Sequence, residues 1–138
     1  MTFHEPKDDT DIQLLTDMNR QLIQDEGHRN LMTLPELYRR IQRWLAEEYR
    51  ALIIQDDAMV IGYILFRRDT DWLYIRQFFI VPAFRRKGLG KLAIQKLRED
   101  VWRNTKIRLD VLVGNFHGVA FWESAGFSGY SLTMEYDN

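Results

Sequence analysis

Apolar residues recur with helical spacing in two stretches near the beginning of the chain. The first stripe consists of Ile12, Leu15, Leu22 and Ile23, and the second of Leu37, Ile41, Trp44 and Leu45. Because side chains three and four residues apart share one face of a helix, the stripes predict two amphipathic helices. The first is expected to begin at the capping box Thr10–Gln13 and to end near Glu26-Gly27. A second capping box, Thr33–Glu36, predicts the start of the second helix.

The hydrophobic pattern then changes to one that is typical of β-strands. Three strands are predicted, over Arg50–Gln55, Met59–Arg67 and Trp72–Val81. Asp56-Asp57 suits a hairpin turn between the first two strands, and Pro82 ends the third. The third strand is almost wholly apolar after Gln77, which predicts a central, buried position in a sheet.

The C-terminal half continues as helix, strand, helix and strand. Apolar residues at every fourth position predict a helix from about Gly88 to Trp102. The elements expected after it are a strand over Ile107–Val113, a short helix between the N-cap Asn115 and Gly126, and a strand over Phe127–Tyr136. Strand–helix–strand order implies a parallel pair, whereas the earlier hairpins are antiparallel. The sequence therefore predicts an α/β (α+β) fold with a mixed, mostly antiparallel central sheet, one parallel strand pair and flanking helices.

Composition narrows the class of protein. A length of 138 residues is that of one domain, so 1–138 is expected to be a single domain. Charged residues make up 28% of the chain and sum to a formal net charge of −1, which gives no support to nucleic-acid or membrane binding. Cysteine is absent and no His, Asp and Glu cluster has metal-ligand spacing, so no metal is expected. No apolar run approaches the ~18 residues of a membrane span, so a cytoplasmic location is expected.

The segment AFRRKGLGKLAIQKL, from Ala83 to Leu97, places three cationic residues before two glycines. A P-loop for a nucleoside triphosphate requires a hydroxyl residue after Gly-Lys, but Leu92 stands there. The segment also matches the dinucleotide fingerprint Gly-x-Gly-x-x-Ala, with Asp110 at about the right distance downstream. The context is wrong for that fold, because Pro82–Lys87 separates the strand from the glycines.

A third interpretation of this segment places a pyrophosphate on the backbone amides of Arg85–Gly90, at the N-terminus of the following helix. Free N–H groups and the helix dipole favour an anion there, and glycine lets the backbone approach it closely. A solvated cationic turn that enters a helix explains the spacing equally well. Spacing alone therefore leaves both interpretations open.

Two blocks of the sequence carry a family resemblance. The first is Ile80–Gly90, and the second is NFHGVAFWESAGF, from Asn115 to Phe127. Together with the order of elements, they resemble the N-acetyltransferases of the GNAT superfamily. In that family Arg/Gln-x-x-Gly-x-Gly/Ala follows a strand, and a segment of the form Asn-x-x-Ala-x-x-Phe-Tyr-x-x-x-Gly-Phe comes later. The resemblance extends over nearly the whole chain.

The resemblance implies that acetyl-CoA is the co-substrate and that its acetyl group passes directly to an amine through a tetrahedral intermediate. In this family the third predicted strand splays from the next one, which opens a V-shaped cleft. A backbone N–H near Phe79–Ile80 would polarise the thioester carbonyl. The residues that the resemblance places on the co-substrate are Phe79, Ile80, Val81, Arg85, Arg86, Lys87, Gly88, Leu89, Gly90, Lys91, Asn115, Phe121 and Trp122.

The chain departs from the family pattern at two positions. Trp122 stands where many members have a tyrosine that protonates the leaving thiolate, and an indole N–H is not a useful acid. The alternative proton donors are Tyr63, Tyr74 and Tyr130. Gln77 lies on the strand where some members carry a Glu or Asp. Glutamine can orient water or substrate there, but it cannot usefully accept a proton.

The general base is then expected in the loop between the first two helices, which borders the acceptor side of the cleft in this family. Glu26 and His28 are the candidates, and histidine titrates near neutral pH. Arg76, next to Gln77, could recognise a carboxylate on the acceptor. For each of these residues, a structural role on a solvated loop or strand remains open.

Two functions from different classes follow. The first is an N-acetyltransferase that uses acetyl-CoA and acts on an amine of a small molecule or a protein. The second is an acyl-CoA-binding module of the same fold with little or no transferase activity, which Trp122 and Gln77 motivate. A nicotinamide-dinucleotide protein rests on the glycine match alone. Exposed strand edges and the aromatic segment Phe127–Tyr136 are compatible with a homodimer.

Overall fold

The computed structural model describes residues 1–27 and 29–138, and this part of the chain contains four α-helices and five β-strands. The helices are α1 (Asp9–Glu26), α2 (Leu34–Ala46), α3 (Leu89–Lys96) and α4 (Phe116–Ser124). The strands are β1 (Thr2–His4), β2 (Tyr49–Asp56), β3 (Met59–Arg68), β4 (Leu73–Ile80) and β5 (Ile107–Leu109). A 3-10 turn spans Pro82–Phe84, and a π-helical turn over Leu97–Val101 continues α3.

The strands form one sheet in the order β1-β2-β3-β4-β5. Neighbours from β1 to β4 pair antiparallel, and β4 and β5 pair in parallel. The parallel pair is possible because the chain crosses over through α3 between these two strands. The predicted fold class, a mixed sheet that is mostly antiparallel with one parallel pair and flanking helices, is confirmed.

Helices cover both faces of the sheet. On one face, α1 and α2 pack against alternate residues of the central strands, among them Ile53, Leu65 and Phe79. On the other face, residues such as Ile64 pack against Ile94 of α3. Because successive side chains of a strand point to opposite faces, each central strand contributes to both clusters. The central position predicted for the third strand is confirmed, since β4 lies between β3 and β5.

The predicted capping box of the second helix and the predicted end of the first helix are confirmed, and the predicted hairpin turn is displaced by one residue. The Thr33 hydroxyl accepts a hydrogen bond from the Glu36 amide at 3.4 Å, and the Glu36 carboxylate accepts one from the Thr33 amide at 3.0 Å. Gly27 ends α1 in the left-handed conformation, with φ of 64°. The β2–β3 turn is centred on Asp57-Ala58, whose φ angles of 51° and 63° are those of a type I′ turn. It lies one residue later than the predicted Asp56-Asp57.

Two helix boundaries differ from the prediction. The N-cap of α1 is Asp8, whose carboxylate accepts from the Asp11 amide at 3.0 Å, so Thr10 lies inside the helix and the predicted capping box is wrong. Several neighbouring residues can cap a helix, and the first of them does so here. The helix predicted over Gly88–Trp102 is α-helical only over Leu89–Lys96 and ends in the π-helical turn.

The parallel pairing of β4 with β5 is short. It joins Leu73–Ile75 to Ile107–Leu109, although a strand was predicted over Ile107–Val113. Beyond Ile75, the edge of β4 that faces β5 pairs with no strand in the part of the chain that the structure describes. The two strands therefore separate toward the C-terminal end of β4 and leave its backbone open on that side.

The predicted C-terminal strand, Phe127–Tyr136, is wrong. Residues 127–138 adopt no regular structure, and the alternating apolar side chains Tyr130, Leu132, Met134 and Tyr136 are all exposed. Alternation with a period of two is the pattern of a strand, but a strand also needs a neighbour for its hydrogen bonds. In the described part of this chain, no strand pairs with the segment.

Candidate functional site

The connection from β4 to α3 presents a helix N-terminus beside the open end of β4. After the Pro82–Phe84 turn the chain reaches Gly88, the N-cap of α3, whose φ of 76° is a conformation that glycine adopts without steric cost. The amides of the first turn of α3 have no acceptor within the helix, and no side chain among the described residues caps it. Such a helix end attracts an anion.

The three cationic residues of this connection differ in their surroundings. The Arg85 guanidinium donates to the Ile80 carbonyl at 2.6 Å and to the Asp25 carboxylate at 2.7 Å. It therefore ties the end of β4 to the end of α1. Arg86 and Lys87 are exposed, and Arg86 has a positive φ of 62°. Two of the three side chains thus extend toward solvent close to the helix N-terminus.

Gly90, in the first turn of α3, lies against α4 and the end of β4. A Cβ atom on this residue would lie 3.1 Å from Phe121 Cε1 and 3.4 Å from Ile80 Cγ1. Phe121 and Trp122 both pack on Phe78 of β4, with ring centroids 5.7 and 5.6 Å from it. The glycine therefore allows α4 to approach the start of α3, and Trp122 belongs to an aromatic cluster.

The predicted N-cap of α4 is confirmed. The Asn115 side-chain oxygen accepts from the Gly118 amide at 3.0 Å. A Cβ atom on Gly118 would lie 2.4 Å from the Asn115 side-chain nitrogen, so the capping geometry needs a glycine there. A contact between Asn115 and a co-substrate stays a prediction.

The end of β4 is held closely against β3. Phe79 and Ile80 are buried, and the Val81 amide donates to the Ile61 carbonyl at 2.7 Å. A Cβ atom on Gly62 would lie 1.9 Å from the Phe79 carbonyl oxygen. This glycine lets the two backbones approach, and it fixes the position of the β4 backbone at its open end.

The predicted co-substrate residues lie on the end of β4, on the connection, on the first turn of α3 and on α4. Phe121 of α4 lies beside Gly90 of α3 and packs on Phe78 of β4, so these three elements meet. Leu89 is partly buried against the core, whereas Lys91 is exposed on α3.

Glu26, a predicted general base, is the last residue of α1. Burial, and then the charge of Asp25, raise the pKa of its carboxyl. Asp25 is itself the partner of Arg85, which holds the Ile80 carbonyl, so the end of α1 lies near the end of β4. His28, the other predicted base, lies outside the described residues.

Gln77, the third catalytic candidate, is engaged by a tyrosine. The Tyr63 hydroxyl donates to the Gln77 side-chain oxygen at 2.9 Å, and burial raises the pKa of Tyr63. A hydrogen bond with Asn19 and the charge of Arg40 lower the pKa of Tyr63, and the charge of Glu26 raises it. Tyr63 is thus a weak acid whose proton already has an acceptor.

The other two tyrosines considered as proton donors lie elsewhere. The Tyr74 hydroxyl, near the start of β4, donates to Asp110 at 2.9 Å, and burial together with that carboxylate raises the pKa of Tyr74 to about 12. Tyr130 is 92% exposed in the C-terminal segment. Tyr74 pairs with Arg108 in the β4–β5 ladder, so it does not lie at the open end of β4.

Sequence patterns missed a polar cluster between α1 and α2. Asn19 is fully buried, and its side-chain oxygen accepts from the Arg40 guanidinium at 3.1 Å. The Nδ2 atom of Asn19 and the Nε atom of Arg40 are buried without a hydrogen-bond partner among the described residues. A signal existed, because Asn19 follows Leu15 by one helical turn and falls on an apolar stripe.

Other kinds of site find no support in the described ranges, 1–27 and 29–138. No group of three or more His, Asp or Glu side chains there could hold a metal ion. None of the helices in these ranges has the length and hydropathy needed to cross a membrane. A cavity of about 460 Å³ lies against Trp102 and Lys106, away from the open end of β4, and none of the predicted site residues lines it.

Solved structures with a similar fold include acetyltransferases. The aminoglycoside antibiotic 6'-N-acetyltransferase AAC(6')-IG from Acinetobacter haemolyticus has a TM-score of 0.77 at 14% identity, covering 100% of this chain and 98% of that chain. AAC(6')-Iy in complex with the bisubstrate analog CoA-S-monomethyl-acetylneamine has a TM-score of 0.73 at 14% identity, covering 99% and 97%. A predicted acetyltransferase from Clostridium acetobutylicum, solved with acetyl-CoA, has a TM-score of 0.71 at 21% identity, covering 99% and 95%.

The family is shown by a match to its sequence model. No match was found among curated proteins. The model of the Acetyltransferase (GNAT) family matches residues 16–127, which include most of α1, all of α2 to α4, the open end of β4 and both sequence blocks. The match spans most of the chain and agrees with the fold. This chain belongs to the GNAT acetyltransferase family.

Proposed function

We propose that this protein is an N-acetyltransferase that moves the acetyl group of acetyl-CoA to a primary amine of a small molecule or a protein. One observation carries the proposal: the edge of β4 becomes free beyond Ile75, directly before the uncapped N-terminus of α3. This arrangement offers backbone hydrogen bonds to an extended chain and an anion site at its end. CoA has groups in the same order: an extended pantetheine arm that can form backbone hydrogen bonds, followed by a pyrophosphate that can occupy the anion site.

The residues present fit acetyl-CoA at this end of the sheet. The pyrophosphate was predicted to lie on the amides of Arg85–Gly90, but the Arg85 amide donates to the Pro82 carbonyl at 3.2 Å. The amides from Arg86 to Lys91, around the left-handed Gly88, would hold the pyrophosphate, and Arg86 and Lys87 would add charge. The backbone of Phe79–Val81 would pair with the pantetheine arm, with Phe121 beside it. Acetyl-CoA would supply an activated acyl group as a thioester.

On the acceptor side, the chain must take a proton from the amine. The amine nitrogen bonds to the carbonyl carbon, the C–S bond breaks, and one proton leaves the nitrogen. Glu26 is suited to accept that proton, directly or through water, because its raised pKa makes the carboxylate a stronger base. Gln77, held by Tyr63, would orient the amine or the water.

A backbone N–H near Phe79–Ile80 would polarise the thioester carbonyl. Donors fixed in place before the reaction stabilise the charge that develops on the oxygen. The close packing of Gly62 on Phe79 and the bond from Arg85 to the Ile80 carbonyl fix this stretch of backbone. His28 remains a second candidate for the base, and cytoplasmic location and a homodimer remain predictions.

An acyl-CoA-binding module of the same fold is the second candidate. The observation in its favour is Trp122, which packs in an aromatic cluster at the position of the usual acid. Tyr63 offers no replacement, because burial raises its pKa and its proton is donated to Gln77. In a transferase, water would have to protonate the thiolate.

Release of free thiol from acetyl-CoA, measured over a panel of primary amines, tests the two candidates. Amine-dependent release supports the transferase, whereas CoA binding without release supports the module.

Gly88→Glu should abolish CoA binding, because it places a carboxylate where the pyrophosphate would lie. Gly126→Glu is the matched control: Gly126 also has a positive φ, 99°, but it lies after α4, away from the helix N-terminus.

A further inference from the structure

Two arginines stand on one aromatic ring on the α1/α2 face of the sheet. The Arg40 guanidinium carbon lies 4.3 Å from the centroid of the Trp44 ring, and that of Arg76 lies 4.6 Å from it. Arg76 also donates to the Tyr49 hydroxyl at 3.3 Å. Two positive charges are therefore held close together around one indole ring.

Neither charge is neutralised within the described part of the chain. Arg67, on the same face, is paired with Asp69 at 2.9 Å, and Arg85 is paired with Asp25. The described residues provide no carboxylate within ion-pair distance of Arg40 or Arg76, whose hydrogen-bond partners are neutral side chains.

Holding these guanidiniums together costs energy in the absence of an anion. Burial, and then the neighbouring charge of Arg76, lower the pKa of Arg40. The Nε atom of Arg40 is buried with no hydrogen-bond partner among the described residues. An unsatisfied donor on a charged group is destabilising, and an anion beside the two guanidiniums offsets the repulsion between their charges.

The position of Arg76 connects this pair to the proposed reaction centre. In the β3–β4 ladder, Leu65 pairs with Gln77 and Phe66 pairs with Ile75, so Arg76 is the extra residue of a β-bulge. A bulge redirects a side chain relative to a regular strand. Arg76 directly precedes Gln77 and lies about 10 Å along the strand from Phe79.

We infer that Arg40 and Arg76 form a subsite for a carboxylate of the acceptor, so that the acceptor is an amine with a carboxylate several carbon atoms away. This inference rests on the proposed transferase function. Guanidinium groups bind carboxylates through paired, charge-assisted hydrogen bonds. The separation along β4 excludes a carboxylate on the carbon next to the amine. The same two charges repel polycationic acceptors such as aminoglycosides, despite the fold shared with aminoglycoside acetyltransferases.

The test compares acetylation of 6-aminohexanoate with that of hexylamine and 1,6-diaminohexane, which lack the carboxylate. The wild-type protein should prefer 6-aminohexanoate over hexylamine in kcat/KM by about 10- to 100-fold, the usual range for hydrogen bonds to a charged group. Arg40→Gln and Arg76→Gln should each reduce this preference about tenfold or more, and 0.5 M salt should weaken it. Equal or better use of hexylamine by the wild type overturns the inference.

Arg67→Gln is the matched control. Its guanidinium also stands on Tyr49 on this face, at 5.5 Å from the ring centroid, but it has Asp69 as partner. The control should retain the preference for 6-aminohexanoate. If it loses the preference as fully as Arg76→Gln does, general packing of the face determines the preference and the subsite is refuted.

Direct binding separates failure of the subsite from failure of the transferase function. If no amine is acetylated, thermal stabilisation by 6-aminohexanoate is measured instead. Stabilisation in the wild type and in Arg67→Gln, but not in Arg40→Gln or Arg76→Gln, supports the carboxylate subsite and refutes only the transferase function. Absence of stabilisation in the wild type overturns the subsite.

Discussion

The role proposed for Glu26 makes a prediction about both rate and pH dependence. Glu26→Gln removes the proton acceptor but keeps the size of the side chain. A positioned general base contributes about 10²- to 10⁴-fold to the rate, so kcat/KM for an accepted amine should fall by about that factor. The assay is thiol release from acetyl-CoA at saturating donor, recorded from pH 5 to pH 9.

The pH profile tests the cause of the effect. Burial and Asp25 raise the pKa of Glu26, so the wild-type kcat/KM should rise with pH along a limb that lies above the ordinary 4.5 of a glutamate. This limb should be absent from Glu26→Gln. Asp25→Asn removes the second cause and should move the limb to lower pH without abolishing it. Its lost, partly exposed ion pair with Arg85 should cost no more than about 1 kcal/mol of stability.

Stability gives an independent check on the same carboxyl. A carboxyl group whose folded-state pKa is raised contributes stability below its unfolded pKa and loses it as pH rises through the folded pKa. Wild-type stability should therefore fall relative to Glu26→Gln as pH rises from 4.5 through the raised value. If Glu26→Gln retains the wild-type rate and the wild-type pH limb, Glu26 is not the base, and His28 becomes the candidate.

Three further predictions concern packing and capping. Gly62→Ala should destabilise the fold by about 1–3 kcal/mol or more in urea unfolding, because its Cβ would lie 1.9 Å from the Phe79 carbonyl oxygen; an unchanged midpoint would contradict the observed β3–β4 distance. Gly90→Val should weaken CoA binding in a titration at least tenfold, because its Cβ would press on Phe121 and displace α4. An unaltered affinity would show that the position of α4 does not affect CoA binding. Thr33→Ala should cost about 0.5–2 kcal/mol in urea unfolding through the lost cap of α2, and it should leave CoA affinity unchanged.

Helix caps and helix ends that depend on a few neighbouring residues were predicted correctly from the sequence. The capping box at Thr33, the cap at Asn115 and the left-handed Gly27 each depend on hydrogen bonds or backbone angles that their own neighbours determine. The start of α1 was misplaced because Asp8 and Thr10 both have the chemistry of a cap. Local sequence offers such choices without deciding between them.

The C-terminal segment shows where local pattern is insufficient. The alternation from Tyr130 to Tyr136 satisfies the side-chain pattern of a strand. A strand also depends on hydrogen bonds to another strand, and such a partner is not specified by the residues of the segment itself. The same reason explains why β5 ends at Leu109: its pairing with β4 continues only while the two strands remain adjacent.

The sequence by itself determined the class of this protein. The glycines of the β4–α3 connection were compatible with an anion site, because glycine permits a close backbone approach. Together with the block from Asn115 to Phe127, they carried the resemblance that indicated the family. Only the tertiary structure decided which side chains lie together at the proposed acceptor site. Arg40 and Arg76 are far apart in the chain, and they meet at Trp44 because α2 packs across the sheet. The burial that raises the pKa of Glu26 likewise arises from packing, which depends on residues distant in sequence.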